Sequence, residues 1–116
     1  MFQQNYWFQN LDNFVMTPKA LIKNPRYSGL SADEILIYSL MVDRMKLSAQ
    51  NENFMFQTGV FIYFPLSEIT AVLHCSENKA RKVLLNLQNA GLIIRAYQGQ
   101  GKAAKIVPLR YREQEQ

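Results

Sequence analysis

Residues 67–107 constrain the fold more tightly than any other part of the chain. Two short helical patterns stand almost end to end there, with a glycine-rich hairpin directly behind them. The first pattern opens at Ser67, read as an N-cap, and turns Ile69, Val72 and Leu73 inward. His74 and Cys75 leave room only for a tight turn. Ser76 then caps a longer helix from Glu77 to about Ala90, with Gly91 placed just past its end as the C′ stop. Ala80, Val83, Leu84 and Leu87 recur at i, i+3, i+4 and i+7 and form its inward face. Behind Gly91 come a strand over 92–97, a turn over 98–102 (QGQGK) and a return strand over 104–107. Such an order predicts a helix-turn-helix followed by a wing, a geometry whose second helix enters a DNA major groove.

The upstream half fits around that unit. Residues 16–19 begin a short segment that closes as a turn at Asn24 and Pro25. Residues 31–34 (SADE) have the form of a capping box, Ser31 accepting from a first-turn amide while Glu34 reaches back. The helix behind it is expected to end near Leu47. Ile35, Tyr38, Val42 and Met45 lie at helical spacing, widened by Leu36, Leu40 and Met41, so the helix is central and well buried. Residues 54–56 and 60–64 then read as a hairpin around a turn at 57–59, and Pro65 ends the second run. The fold class expected is α+β: a winged helix-turn-helix with an N-terminal extension and β-hairpins.

Length and composition narrow the function classes. A chain of 116 residues with 48% hydrophobic and 19% charged side chains is one globular domain. No apolar run approaches the ~18 residues that span a bilayer. No basic-then-apolar leader opens the chain, so neither a membrane protein nor a secreted precursor is expected, and the location expected is cytoplasmic. The single cysteine excludes an internal disulfide and a multi-cysteine zinc site. The single histidine, His74, adjoins it, and adjacent side chains rarely activate one another. Neither a phosphate-binding P-loop nor a dinucleotide-binding glycine motif is present. The expectation is a chain that is not an enzyme, with no metal, no cofactor and no small-molecule substrate.

Charge is segregated. Residues 1–73 carry five basic against six acidic side chains, a net of −1, whereas residues 74–112 carry eight basic against Glu77 alone, a net of +7. The last four residues add −2, returning the overall +4. That distribution is the footprint of a surface that meets a polyanion. On a wheel of about 100° per residue, Asn78, Lys82, Asn89 and, slightly off axis, Asn86 point away from Ala80, with Lys79 and Arg81 on either side. Asn pairs bidentately with adenine, Lys meets guanine or phosphate, and a helix N-terminus such as that at Ser76 favours phosphate. Lys102 sits at the wing tip with Gln98 and Gln100, and Arg95 and Lys105 lie on the arms, where cations gain counterion release. An ordinary amphipathic helix and a plain hairpin would each show the same residues, so it is their adjacency that favours DNA. Leu85 also falls on the outer side, either under the wing or against a partner subunit.

The first fourteen residues hold Phe2, Tyr6, Trp7, Phe8 and Phe14 with one charge, Asp12. So many exposed rings would be an aggregation hazard, so they pack either on the domain or on a partner. The division expected is an aromatic arm with a short helical segment over 1–30, a winged-helix domain over 31–112 and a polar stub over 113–116. Arg44, beside Asp43 in the central helix, is read as structural, pairing with a carboxylate or capping a loop carbonyl.

Several runs carry a family resemblance: TPK at 17–19, YSGLS at 27–31, YSLMVDRMKLS at 38–48, VFIYF at 60–64, CSENKA at 75–80, GLI at 91–93 and QGQGK at 98–102. With them the chain resembles the RepA N-terminal family, the N-terminal domains of plasmid replication initiators of Gram-positive bacteria. The likeness spans about 16–107 and departs after Lys102, where family members often continue Pro-Asn and this chain has Ala103 and Ala104. The resemblance implies a winged-helix domain that binds repeated sites, iterons, at a plasmid origin, as a dimer. It gives Tyr6, Trp7 and Phe8 the role of dimer contacts. It also implies that a further C-terminal domain recruits host machinery and that this chain does not initiate replication alone. Two other uses of the same fold stay open: a stand-alone winged-helix transcriptional repressor on a palindromic operator, and a protein-interaction module whose basic face meets an acidic partner.

Overall fold

The computed structural model describes residues 13–49, 55–56, 59–96 and 105–113. Within them the chain runs through α1 (Lys19–Lys23), a 3₁₀ turn (Pro25–Tyr27), α2 (Ala32–Ser48), β1 (Met55–Phe56), β2 (Gly59–Val60), β3 (Ile62–Tyr63), α3 (Leu66–Leu73), α4 (Glu77–Asn89), β4 (Ile93–Ala96) and β5 (Lys105–Pro108). Helices pack on a small antiparallel sheet of order β3-β5-β4, and β1 and β2 form a separate hairpin. The fold is α+β, as expected. No helix among the described residues is long and apolar enough to cross a membrane.

α2 begins where the capping box places it. Glu34 Oε1 accepts from the Ser31 amide at 2.8 Å and from Ser31 Oγ at 2.9 Å, which allows this carboxylate to be buried. The buried stripe differs from the expected one. It is centred on Ile37, Tyr38 and Met41, while Ile35, Leu40, Val42 and Met45 are half-buried and Leu36 is exposed. The reason is tertiary: α2 packs on α4 and on β3 and β5 together, so the stripe follows its partners rather than spacing alone.

Two further expectations are corrected. Residues 60–64 are not one strand. The chain breaks at Phe61, leaving Val60 paired with Met55 in the β1–β2 hairpin and Ile62 paired with Ile106 in the three-stranded sheet. Ser67 is not a cap. Pro65 holds that position with extended backbone, α3 starts at Leu66, and Ser67 sits in the first turn with its carbonyl accepting from Thr70 Oγ1 at 2.8 Å. A proline there has no N–H to lose, so the helix starts two residues early.

The end of α4 matches expectation closely. Gly91 adopts φ +77°, and its N–H donates to the Gln88 carbonyl while that of Leu92 donates to Leu87, both at 3.0 Å. This is a Schellman cap, its apolar partners Leu87 and Leu92 both fully buried. It reverses the chain directly from α4 into β4.

One core runs from Leu21 and Tyr27 through α2, α3 and α4 to Ile93 and Ile106. Arg44 ties it laterally, as read from the sequence. Its Nη1 donates to the Tyr63 carbonyl and to Glu68 Oε1, both at 2.8 Å, its Nη2 pairs with Glu68 Oε2, and its guanidinium lies 4.4 Å above the Phe64 ring. The exit segment behind β5 is clamped as well. Tyr38 donates to the Leu109 carbonyl at 2.6 Å, and the Leu109 N–H donates to Leu92 at 2.8 Å. Tyr27 Oη accepts from the Arg112 amide at 2.9 Å, and Asn24 Nδ2 donates to the Arg112 carbonyl at 3.0 Å. No buried side-chain nitrogen or oxygen among the described residues lacks a partner.

Candidate nucleic-acid interface

α3 and α4 meet across a three-residue turn. His74 ends α3 in the left-handed conformation at φ 52° and ψ 49°, and the Cys75 amide donates back to Thr70 at 3.2 Å. Ser76 Oγ accepts from the Lys79 amide at 3.2 Å, capping α4 as the sequence predicts. Ala80, Val83, Leu84 and Leu87 are all buried, so the opposite face of α4 is free of the core.

The exposed face carries Asn78, Lys82 and Asn89, with Asn86 half-buried. Its cations are held in different ways. Lys79 Nζ lies 3.4 Å from Asp33 on α2, both side chains nearly half exposed. Arg81 reaches back along its own helix to Glu77 at 3.1 Å and to Asn78 at 3.4 Å. Among the described residues no ion pair is formed by Lys82. Each pair at this exposure contributes at most about 1 kcal/mol, so a phosphate can compete for the cation.

The arms of the hairpin continue the surface. β4 and β5 pair from Ile93 with Pro108 to Ala96 with Lys105. Arg95 Nε donates to Gln88 Oε1 at 2.7 Å, joining the first arm to the last turn of α4. Lys105 Nζ lies 4.4 Å from the centre of the Phe61 ring, which orients the cation on the second arm. Gln98, Gln100 and Lys102 at the expected wing tip lie outside the described residues, as do Tyr6, Trp7 and Phe8. Sequence reasoning missed Asp33 and Gln88, the partners of Lys79 and Arg95. Gln88 stands one turn past Leu84 on the side of α4 that meets β4, a signal a wheel can supply. Asp33 required the packing of α2 on α4.

Other chemistry is sparse. Cys75 is a free, half-buried thiol, and no group of three or more His, Cys, Asp or Glu among the described residues is placed to hold a metal. A crevice of about 530 Å³ lies between α1 and the exit segment, lined by Lys19, Lys23, Asn24 and Tyr111 among others, and takes no residue from α4 or the hairpin.

Residues 13–116 match the family described as the N-terminus of replication initiator protein A (RepA). A 41 kDa protein of Lactobacillus helveticus is 31% identical over 90 residues, covering 78% of this chain and 26% of that protein. The chain thus spans about a quarter of that relative's length. Among solved structures, one described as the N-terminal domain of a DNA-binding protein aligns over 95% of this chain and 81% of its own, with a TM-score of 0.71 at 24% identity. A Rep–DNA complex aligns equally well, over 95% of this chain and 82% of its own, again at 0.71 and 24%. A structure described as the MDR initiator covers 95% and 84%, with a TM-score of 0.69 at 25% identity.

Proposed function

The chain belongs to the family of RepA N-termini, and from that membership we propose that it binds double-stranded DNA sequence-specifically at the iterons of a plasmid replication origin. It acts as the DNA-binding N-terminal domain of a replication initiator, as a homodimer on DNA, in the cytoplasm, without catalysis and without a cofactor. The observation that carries this reading is the exposed face of α4. Amides and a lysine without an ion pair among the described residues stand there on a capped helix, and the Gln88–Arg95 bond joins that helix to a basic hairpin arm.

In this reading Asn78 and Asn86 read base edges, Lys82 reaches a base or phosphate, and Ser76, Lys79 and Arg81 meet the backbone at the helix start. Arg95 and Lys105 hold the flanking phosphates, and Gln98, Gln100 and Lys102 supply the wing tip. Tyr6, Trp7 and Phe8 join two copies on neighbouring repeats.

Fluorescence anisotropy tests it, with duplexes carrying tandem candidate repeats, a two-fold palindrome or scrambled sequence, each across a salt series. Tight, salt-steep binding to the tandem repeats is expected, weakened by Asn78→Ala and Lys82→Ala. Preference for the palindrome would assign the chain to an operator instead. Equal weak binding to all three would remove the DNA reading.

A further inference from the structure

Leu85 is the apolar exception on the exposed face of α4, and its side chain is 47% exposed. With about 100° per residue, it shares an arc of about 60° with Asn78, Lys82 and Asn89. It lies opposite Ala80, Val83, Leu84 and Leu87 and is not packed against the core. Its neighbours one turn away on either side are Arg81, Lys82, Gln88 and Asn89, all exposed. Among the described residues of α4, a protein partner would find one leucine on this face, ringed by polar and charged side chains. That pattern is unlike the desolvated centre of a protein interface.

We propose that Leu85 is a specificity-determining residue that packs against the C5-methyl group of a thymine in the major groove. The inference rests on the DNA-binding reading above. Thymine is the one base that displays a methyl group in that groove, and apolar side chains recognise it by contact. The surrounding charge fits the same occupant, since residues 74–112 carry a net +7 from eight basic side chains and Glu77. The helix also fixes where the thymine lies. Leu85 is seven residues past Asn78, about 10 Å along the axis at 1.5 Å per residue. At about 3.4 Å per step, the thymine lies at most about three base pairs from the base that Asn78 reads, the limit reached when α4 runs along the DNA axis.

The test begins with a duplex site selected by the full 116-residue chain from a random pool. Each thymine in it is replaced in turn by deoxyuracil, which removes only the methyl group, and binding is measured for the parent, Leu85→Ala and Leu85→Asn. Because Leu85 is outside the buried core, both variants are expected to fold, which a cooperative melting transition checks before binding is measured. The parent is expected to lose affinity about fourfold at one thymine per binding unit, the worth of one buried methyl group. That thymine lies within about three base pairs of the position whose preference relaxes in Asn78→Ala, and both Leu85 variants are indifferent to uracil there. A uracil penalty that persists unchanged in the Leu85 variants, or a parent that tolerates uracil everywhere, overturns the assignment while DNA binding stands. Failure to enrich any duplex overturns the DNA-binding reading itself, and this assignment with it.

Discussion

Replacing Gly91 by the two mirror forms of alanine separates backbone strain from every contact effect. The residue sits at φ +77°, and a Cβ built there meets nothing within 4 Å among the described residues. L-alanine therefore introduces no clash, only the left-handed conformation, which costs an L residue about 1–2 kcal/mol. Loss of unfolded-state freedom returns about 0.4–1 kcal/mol. The expected net is a destabilisation of about 1 kcal/mol, or roughly 4 °C in Tm for a chain of this size. D-alanine finds the same angle relaxed, keeps the entropic gain and should stabilise by about 0.4–1 kcal/mol. The single cysteine makes the experiment practical, because a synthetic 75–116 segment can be ligated at Cys75 without altering the sequence elsewhere. Urea unfolding followed by circular dichroism gives both values. Equal midpoints for the L- and D-alanine proteins would refute the argument, because handedness would then have no bearing on how α4 turns into β4.

Three other outcomes are expected. Burial, with smaller contributions from Tyr111 and Tyr27, pushes the Tyr38 hydroxyl up to about 12. Because the folded value is raised, its stabilisation is complete below about pH 10 and is lost as pH rises from 10 towards 12, on the order of 2–3 kcal/mol in all. Tyr38→Phe should flatten that alkaline decline in urea titrations while costing about 1–2 kcal/mol at neutral pH, where the Leu109 carbonyl loses its donor; an unchanged decline would clear Tyr38. Arg44→Ala should lower the unfolding free energy by about 1–2 kcal/mol, a figure held down by the one-third exposure of both Arg44 and Glu68. A midpoint equal to the parent's would show that the α2–α3 tie contributes nothing. Asp33→Asn frees Lys79, so affinity for random-sequence duplex should rise up to about fivefold, the equivalent of a surface pair of up to 1 kcal/mol. The rise should vanish in the Lys79→Ala background, and its survival there would assign the effect to Asp33 alone.

Most of what could be read without the structure was local chemistry, with the start of α3 an exception, where Pro65 and not Ser67 holds the cap position. Ser31 with Glu34, Ser76 and Gly91 mark helix ends because each satisfies or redirects backbone groups within a turn of itself. The inward face of α4 was legible for the same reason, since only one of its sides is apolar. Non-local choices were not. The run at 60–64 has strand-forming residues throughout, but its division at Phe61 follows from Ile62 and Tyr63 pairing with Ile106 and Lys105, which no local pattern encodes. α2 is apolar over a broad arc, so several stripes were equally plausible until α4 and the sheet selected the one through Ile37. At the candidate interface the residue types were legible and their pairing was not, because Asp33 and Phe61 reach Lys79 and Lys105 only through packing.

The clamp on the exit segment also sets a load path. A pull applied at Glu113 is carried first by the bonds of Arg112 to Asn24 and Tyr27, then by that of Leu109 to Tyr38. All three anchors belong to the helical side of the molecule, and tension is grounded there before it reaches Pro108 and the strand pairing of β5. The bond of the Leu109 amide to Leu92 carries part of the same load to the entry of β4, so a pull is divided between the helical side and the base of the hairpin rather than entering along β5.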